Sequence, residues 1–155
     1  SSAASDVYKR QAMKLTAETS PYYSGWVESN AVLLQRASAA VATNDFTALG
    51  RIAEMSALRM HASMFGAEPP VRYLTAQSFA VFDAVAELRE QGLEAYASAD
   101  AGPNVKILCQ AREAEVLASA LRERLAGVNL LISHAGPGAT LVDSERAGGV
   151  YGEDA

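Results

Sequence analysis

The stretch Tyr96-Ala-Ser-Ala-Asp-Ala-Gly-Pro-Asn-Val105, with Lys106 behind it, decides how this chain reads. A strand-like run leads in, and Val105-Lys-Ile-Leu-Cys109 leads out. Between them stands one carboxylate, Asp100, ahead of an Ala-Gly-Pro-Asn turn. Gly102 can take backbone angles closed to other residues, while Pro103 fixes its own φ and donates no N–H. Such a turn can hold one acid rigidly at the end of two strands. Hairpin tips more often carry Asn-Gly or Asp-Gly, and the same composition also suits a turn with no chemistry.

Upstream of the turn the pattern is helical. Ala12 to Thr19 reads as a short helix, and Ser20 with Pro21 reads as the N-cap and first turn of the next. That second helix is expected to run to about Ala42, with Val27, Ala31, Leu34 and Val41 as its apolar stripe. Thr43-Asn44-Asp45 breaks it and caps a third helix, in which Phe46, Leu49, Ile52, Ala53 and Met60 recur at helical spacing. Gly66 is the expected C-terminal stop. The two helices then form an αα-hairpin. Glu68-Pro69-Pro70 is a rigid extended connection. A further helix spans about Leu74 to Glu90, with Leu74, Val81, Phe82, Val85 and Leu88 facing inward, and Gln91-Gly92 ends it.

Leu93 to Ala99 and Asn104 to Gln110 pair as antiparallel strands around the turn. A helix from Ala111 to Leu125 follows, with Ala114, Leu117, Leu121 and Leu125 inward and Gly127 after it. Val128 to Ser133 is β-rich, and Ala139 to Val142 is expected to form a last short strand. The order predicts an α+β fold, an antiparallel sheet of about four strands covered by helices. Residues 12–142 form one domain. Residues 1–11 lack periodicity and are set apart as a non-native leader, and residues 143–155, rich in charge and glycine, read as a frayed tail.

Composition narrows the function. The chain has 155 residues, 50% hydrophobic and 20% charged, with a net charge of −5. That length supports one domain with a real core. The charge argues against a nucleic-acid partner, which calls for a basic patch or stripe. No apolar run approaches the roughly 20 residues of a membrane span. No secretory signal is visible. Cys109 stands alone, so no intrachain disulfide forms, which fits a reducing cytoplasm. It reads as a small core residue. No P-loop or dinucleotide fingerprint occurs, Gly136-Pro-Gly138 being too short for either. One cysteine and two distant histidines make no zinc site, and no metal ligands are assigned.

His61 lies near a helix C-terminus, where a cation is favoured, and equally suits a buried or capping role. Arg59, Arg72 and Lys106 can supply positive charge to an anionic ligand, although isolated basic residues are usually solvated surface. Tyr22, Tyr23 and Trp26 cluster as packing residues.

Met13-Lys-Leu-Thr-Ala-Glu-Thr-Ser20, Asp45-Phe-Thr-Ala-Leu-Gly50, Leu58-Arg-Met-His-Ala62, Pro69-Pro70 and Asp100-Ala-Gly-Pro-Asn-Val-Lys106 stand in the order and spacing of the diphosphomevalonate decarboxylases. The resemblance places the chain in the GHMP kinase superfamily, with a ferredoxin-like C-terminal domain. It runs from about Arg10 to Cys109 and more loosely to Val142. It covers only the C-terminal half of that family, so the chain reads as a fragment without the Gly/Ser-rich ATP phosphate loop.

The resemblance implies a cytoplasmic, homodimeric enzyme of the mevalonate route to isoprenoids. Such an enzyme spends ATP to convert mevalonate 5-diphosphate to isopentenyl diphosphate, ADP, phosphate and CO₂. It implies ATP and Mg²⁺ as cofactors, bound mainly by the other half. Asp100 matches the proposed general base. Arg10 and His61 match positions near the substrate, His61 either by its phosphates or shaping the pocket. The family carries a serine and a polar or basic residue where Lys9 and Arg10 stand, so Arg10 keeps the pattern and Lys9 departs from it. A sister decarboxylase or 3-kinase acting on a differently phosphorylated mevalonate fits the same residues. So does an α+β binding module that has lost the chemistry, although Asp100 speaks against that.

Overall fold

A computed structural model describes residues 3–141. Its elements, in chain order, are helix α1 (Ala3–Thr19), helix α2 (Tyr23–Ala42), helix α3 (Phe46–Phe65), helix α4 (Ala76–Glu90), strand β1 (Ala95–Ala99), strand β2 (Val105–Cys109), a 3₁₀ turn (Ala111–Glu113) and helix α5 (Ala114–Arg124). The expected helices and strand pair are present, and the fold class is α+β. The expected tail lies outside the described residues.

Helix α3 begins where the sequence indicates. The Asp45 carboxylate accepts from the Ala48 N–H at 2.9 Å, which satisfies one of the orphan donors of the first turn. Asn44 ahead of it takes a left-handed φ of 53°, which asparagine tolerates better than most residues. The α2–α3 hairpin is also as expected, but the inward face of α2 is not. Val27, Leu34 and Val41 are exposed, and Leu33 and Ala40 are the buried pair. Spacing reveals that a helix is amphipathic, but with apolar residues all round α2 only packing against α3 selects the face.

Helix α1 starts at Ala3 rather than near Ala12. Ser20 does not cap α2, whose N-cap is Tyr22 with no side-chain bond. Instead the Ser20 hydroxyl donates to the Ser63 carbonyl at 2.6 Å, tying the α1–α2 turn to the end of α3. Nearby, the Thr19 hydroxyl accepts from the Glu68 N–H at 2.8 Å. Gly66 ends α3 with an ordinary negative φ, so its role is not left-handed capping. A Cβ there would meet the Tyr22 ring at 2.5 Å, so glycine serves close approach.

The two strands pair antiparallel in the register Ala95↔Cys109, Ala97↔Ile107 and Ala99↔Val105. On one face, Ala95, Ala97 and Ala99 pack under Leu74, Val81, Phe82, Val85 and Leu88 of the α4 segment and Leu117 and Leu121 of α5. These alanines present little side chain, which lets the helices approach the backbone. On the other face, Tyr96 lies against α3, 5.9 Å ring to ring from Phe46. Its ring occupies the space a Cβ would need at Gly50, at 2.0 Å. Glycine is costly inside a helix, and here it admits an aromatic ring.

Among the described residues the sheet has two strands, not about four. Residues 128–133 and 139–141 form no strand. Leu131 is 89% exposed and Leu141 fully so. β-propensity yields a strand only where a neighbouring backbone and a face to bury are available. Here the free edge of β1 is already occupied. A strand residue points its N–H and C=O to the same side. The outward Ala97 N–H donates to Glu54 at 3.0 Å, and the outward Ala95 carbonyl accepts from Arg89 at 2.7 Å.

Candidate functional site

Helix α3 runs alongside β1 in the same direction. Gly50 lies at Tyr96, Glu54 at Ala97, and His61 at Ala99 and Asp100. Eleven helical residues rise roughly 16 Å and four strand residues roughly 13 Å, so the two elements keep pace along the sheet. That match brings His61 beneath the mouth of the hairpin, where Asp100 stands.

Asp100 follows the last residue of β1 and is exposed, its side chain 77% accessible. Lys106 pairs with its Oδ2 from β2. Ser98 and Lys106 are register partners, so the cation arises from the strand opposite the acid's own. Among the described residues Oδ1 has no partner and is open to a ligand. The turn itself is held at two points. The Gly102 N–H donates back to the Asp100 carbonyl at 2.8 Å, and the Pro103 carbonyl accepts from the Ser78 hydroxyl at 2.7 Å.

Gly102 does not adopt the left-handed φ open to it; among the described residues the positive-φ glycines are Gly92 and Gly127. A Cβ at Gly102 would meet nothing within 4 Å. The turn is therefore fixed by the Pro103 ring within it and by Ser78 of α4 from outside, and not by glycine geometry.

His61 is buried, 1% exposed, and neither ring nitrogen makes a hydrogen bond. Burial lowers its pKa from the ordinary histidine value of 6.5, and the nearby backbone of Ala99 and Asp100 and the Asp100 carboxylate offset this only in part. The ring is therefore neutral near pH 7. It contacts Phe65 at 6.4 Å between centroids. His61 thus sits under the acid as a wall and is not presented to solvent. Arg10 is exposed on α1, and among the described residues it pairs with neither Asp100 nor His61. Arg59 borders an open groove of about 440 Å³ on α3 with Arg51, Glu54 and Leu58. Of the basic residues weighed from sequence, Lys106 is the one at the acid.

Ser78, Thr75, Glu54 and Arg89 were not singled out from sequence. Thr75-x-x-Ser78 has the spacing of a capping box, which signals the helix start. Nothing local signals that Ser78 also reaches the turn. Cys109 is half-buried, and its pKa is raised by burial first and by Glu113 second, so it holds its proton. Among the described residues no group of three or more His, Cys, Asp and Glu side chains gathers to hold a metal ion. Nor is any described helix long and apolar enough to cross a membrane.

The fold and corner define a helix-covered α+β domain that presents one firmly mounted acid at the mouth of a hairpin. The chain belongs to the mevalonate 5-diphosphate decarboxylase C-terminal domain family, whose model matches residues 1–141. Among solved structures it resembles the mevalonate diphosphate decarboxylase from Enterococcus faecalis (38% identity, TM-score 0.74, 77% of this chain and 37% of that one). It also resembles the enzyme from Staphylococcus aureus (38%, 0.73, 76% and 36%). A third is mevalonate pyrophosphate decarboxylase from Streptococcus pyogenes (40%, 0.72, 75% and 37%). The chain thus spans well under half the length of these relatives. No curated protein sequence matches it significantly.

Proposed function

We propose that this chain is the C-terminal part of an ATP-dependent decarboxylase that converts mevalonate 5-diphosphate to isopentenyl diphosphate, ADP, phosphate and CO₂. The observation that carries the reading is Asp100: an exposed carboxylate with a free oxygen, on a turn tied at both ends, in a chain of this family. A tertiary alcohol is a weak nucleophile. Asp100 takes the proton of the substrate's 3-hydroxyl as that oxygen attacks the transferring phosphoryl group. The new phosphate then departs with the C–O bond as the carboxylate leaves as CO₂, and the bonding pair closes the alkene. Fixing the hydroxyl in line is most of what such a transfer asks of a protein.

ATP supplies the phosphoryl group, and Mg²⁺ carried on it offsets charge. Both are read as held mainly by the part of the relatives' length that this chain does not span. One of the matched structures, of MDDEF, is a complex with MVAPP, AMPPCP and magnesium, which supports this set of ligands. Arg10 contributes to substrate binding from α1, and His61 shapes the pocket from below Asp100. The parent enzyme is read as a cytoplasmic homodimer.

The test is Asp100→Asn in the complete polypeptide. Loss of the base lowers kcat about 10²–10⁴-fold with the fold intact. Near-normal turnover would remove Asp100 from that role.

A further inference from the structure

We propose that Ser78 is a positioning residue for Asp100, holding the acid's turn through the Pro103 carbonyl. The inference rests on Asp100 being the base.

Ser78 is 2% exposed and stands at the third position of α4, three residues after the N-cap Thr75. Its Oγ accepts from the Thr75 N–H at 3.1 Å, lies 3.1 Å from the Thr75 Oγ1, and donates to the Pro103 carbonyl at 2.7 Å. The Thr75 Oγ1 in turn accepts from the Ser78 N–H at 3.2 Å.

A hydroxyl has one proton, and a carbonyl can only accept. The Ser78 proton is therefore committed to Pro103, and in the hydroxyl–hydroxyl contact Thr75 is the donor. A directed chain results, from Thr75 to Ser78 to the turn. A capping box usually places Glu or Gln at this third position. A glutamate would close the cap, yet an ionised carboxylate has no proton to give the turn. Serine serves both partners.

The turn needs such a tie. Ala101 and Gly102 are half-buried, and Gly102 has open space around it and no unusual φ that would lock it. Pro103 restricts only its own φ. The Ser78 bond anchors the turn's far end to the first turn of α4, whose Val81, Phe82 and Val85 are buried against β1. Asp100 is thus referenced to the core through a side chain that is itself buried.

The test compares variants of the complete polypeptide. Ser78→Ala is expected to lower kcat about 10–100-fold with KM changed less than about threefold, as misplacement of a catalytic group does. Thr75→Ala removes the same cap but leaves the Ser78 proton on Pro103. It should lower the melting temperature about as much as Ser78→Ala while keeping kcat within about threefold. Ser78→Thr, which keeps the hydroxyl, should restore kcat. Normal kcat in Ser78→Ala, or an equal loss in Thr75→Ala, overturns the inference.

Should Ser78→Ala fail to fold, Ser78→Cys keeps the shape and weakens the donor. Its kcat should fall about tenfold, and an unchanged kcat again overturns the proposal. Asp100→Asn separates the two levels. An inactive Asp100→Asn beside a normal Ser78→Ala sinks only the positioning role, whereas an active Asp100→Asn sinks the reading of the base and this inference with it.

Discussion

Glu54 and Arg89 meet across α3 and α4 through two hydrogen bonds of 3.1 and 3.2 Å, and each also takes a backbone group from the outer edge of β1. One pair thereby joins both helices and closes a sheet edge. Removing Glu54 leaves the Arg89 guanidinium and the Ala97 N–H without their partner. The Arg89 and Glu54 side chains are 28% and 20% accessible, so the loss is smaller than for a fully buried pair. Glu54→Ala is expected to cost about 2–3 kcal/mol in urea unfolding. Glu54→Gln, which keeps an acceptor for Ala97, should cost less. A Glu54→Ala cost under about 0.5 kcal/mol would show the pair to be incidental.

Gly50 and Tyr96 test how tightly α3 sits on β1. Alanine would improve helix propensity by about 1 kcal/mol. Against this, its Cβ would lie 2.0 to 2.5 Å from three Tyr96 ring atoms. That ring cannot easily retreat: it is 1% exposed, under the Arg89 guanidinium at 4.8 Å, with its hydroxyl bonded to Glu94 at 3.1 Å. Overpacking wins, and Gly50→Ala should be destabilising by about 1–3 kcal/mol. Tyr96→Leu in the same chain should relieve part of that cost, so the double mutant falls short of additivity. Strict additivity would place the strain elsewhere.

His61 gives the fold a pH dependence whose sign follows from burial. Its folded pKa lies below 6.5, so in the window between the two values the unfolded chain binds the proton and the folded one does not. Stability then rises with pH through that window and is lost as pH falls below about 6.5. His61→Leu removes this contribution. The stability of wild type relative to His61→Leu should fall as pH drops from about 8 to about 5.5. Parallel stability curves for the two proteins across that range would contradict a neutral, buried His61.

The 155-residue chain alone is expected to show no turnover of mevalonate 5-diphosphate with ATP and Mg²⁺. It spans 36–37% of the relatives compared and gathers no metal cage among its described residues. Release of inorganic phosphate dependent on both substrates, and lost in Asp100→Asn, would show that this domain is sufficient.

Much of the architecture was legible because its signals are local. Asp45 announces α3, and the Leu74, Val81, Phe82, Val85 and Leu88 spacing identifies the buried face of α4. The pair of short strands around Asp100 is plain from composition. The errors share one cause. On α2, apolar residues on several sides left the packing partner to choose the face. At Ser20, a good capping residue was taken by the Ser63 carbonyl 43 positions away. At residues 128–133, β-rich composition found the outer edge of β1 already taken by Glu54 and Arg89.

The candidate site divides the same way. Asp100 on its turn, its proline, and the Leu58-Arg-Met-His-Ala62 motif upstream are properties of the linear sequence. The burial of His61 beneath Asp100, the Lys106 pairing across strands and the Ser78 tie to Pro103 exist only once α3 and α4 flank β1. Sequence by itself determined the helices and the hairpin with its one carboxylate, because short-range spacing and backbone chemistry decide those. Tertiary structure decided what holds the acid in place, because hydrogen bonds between residues 25 positions apart leave no periodic trace in the chain.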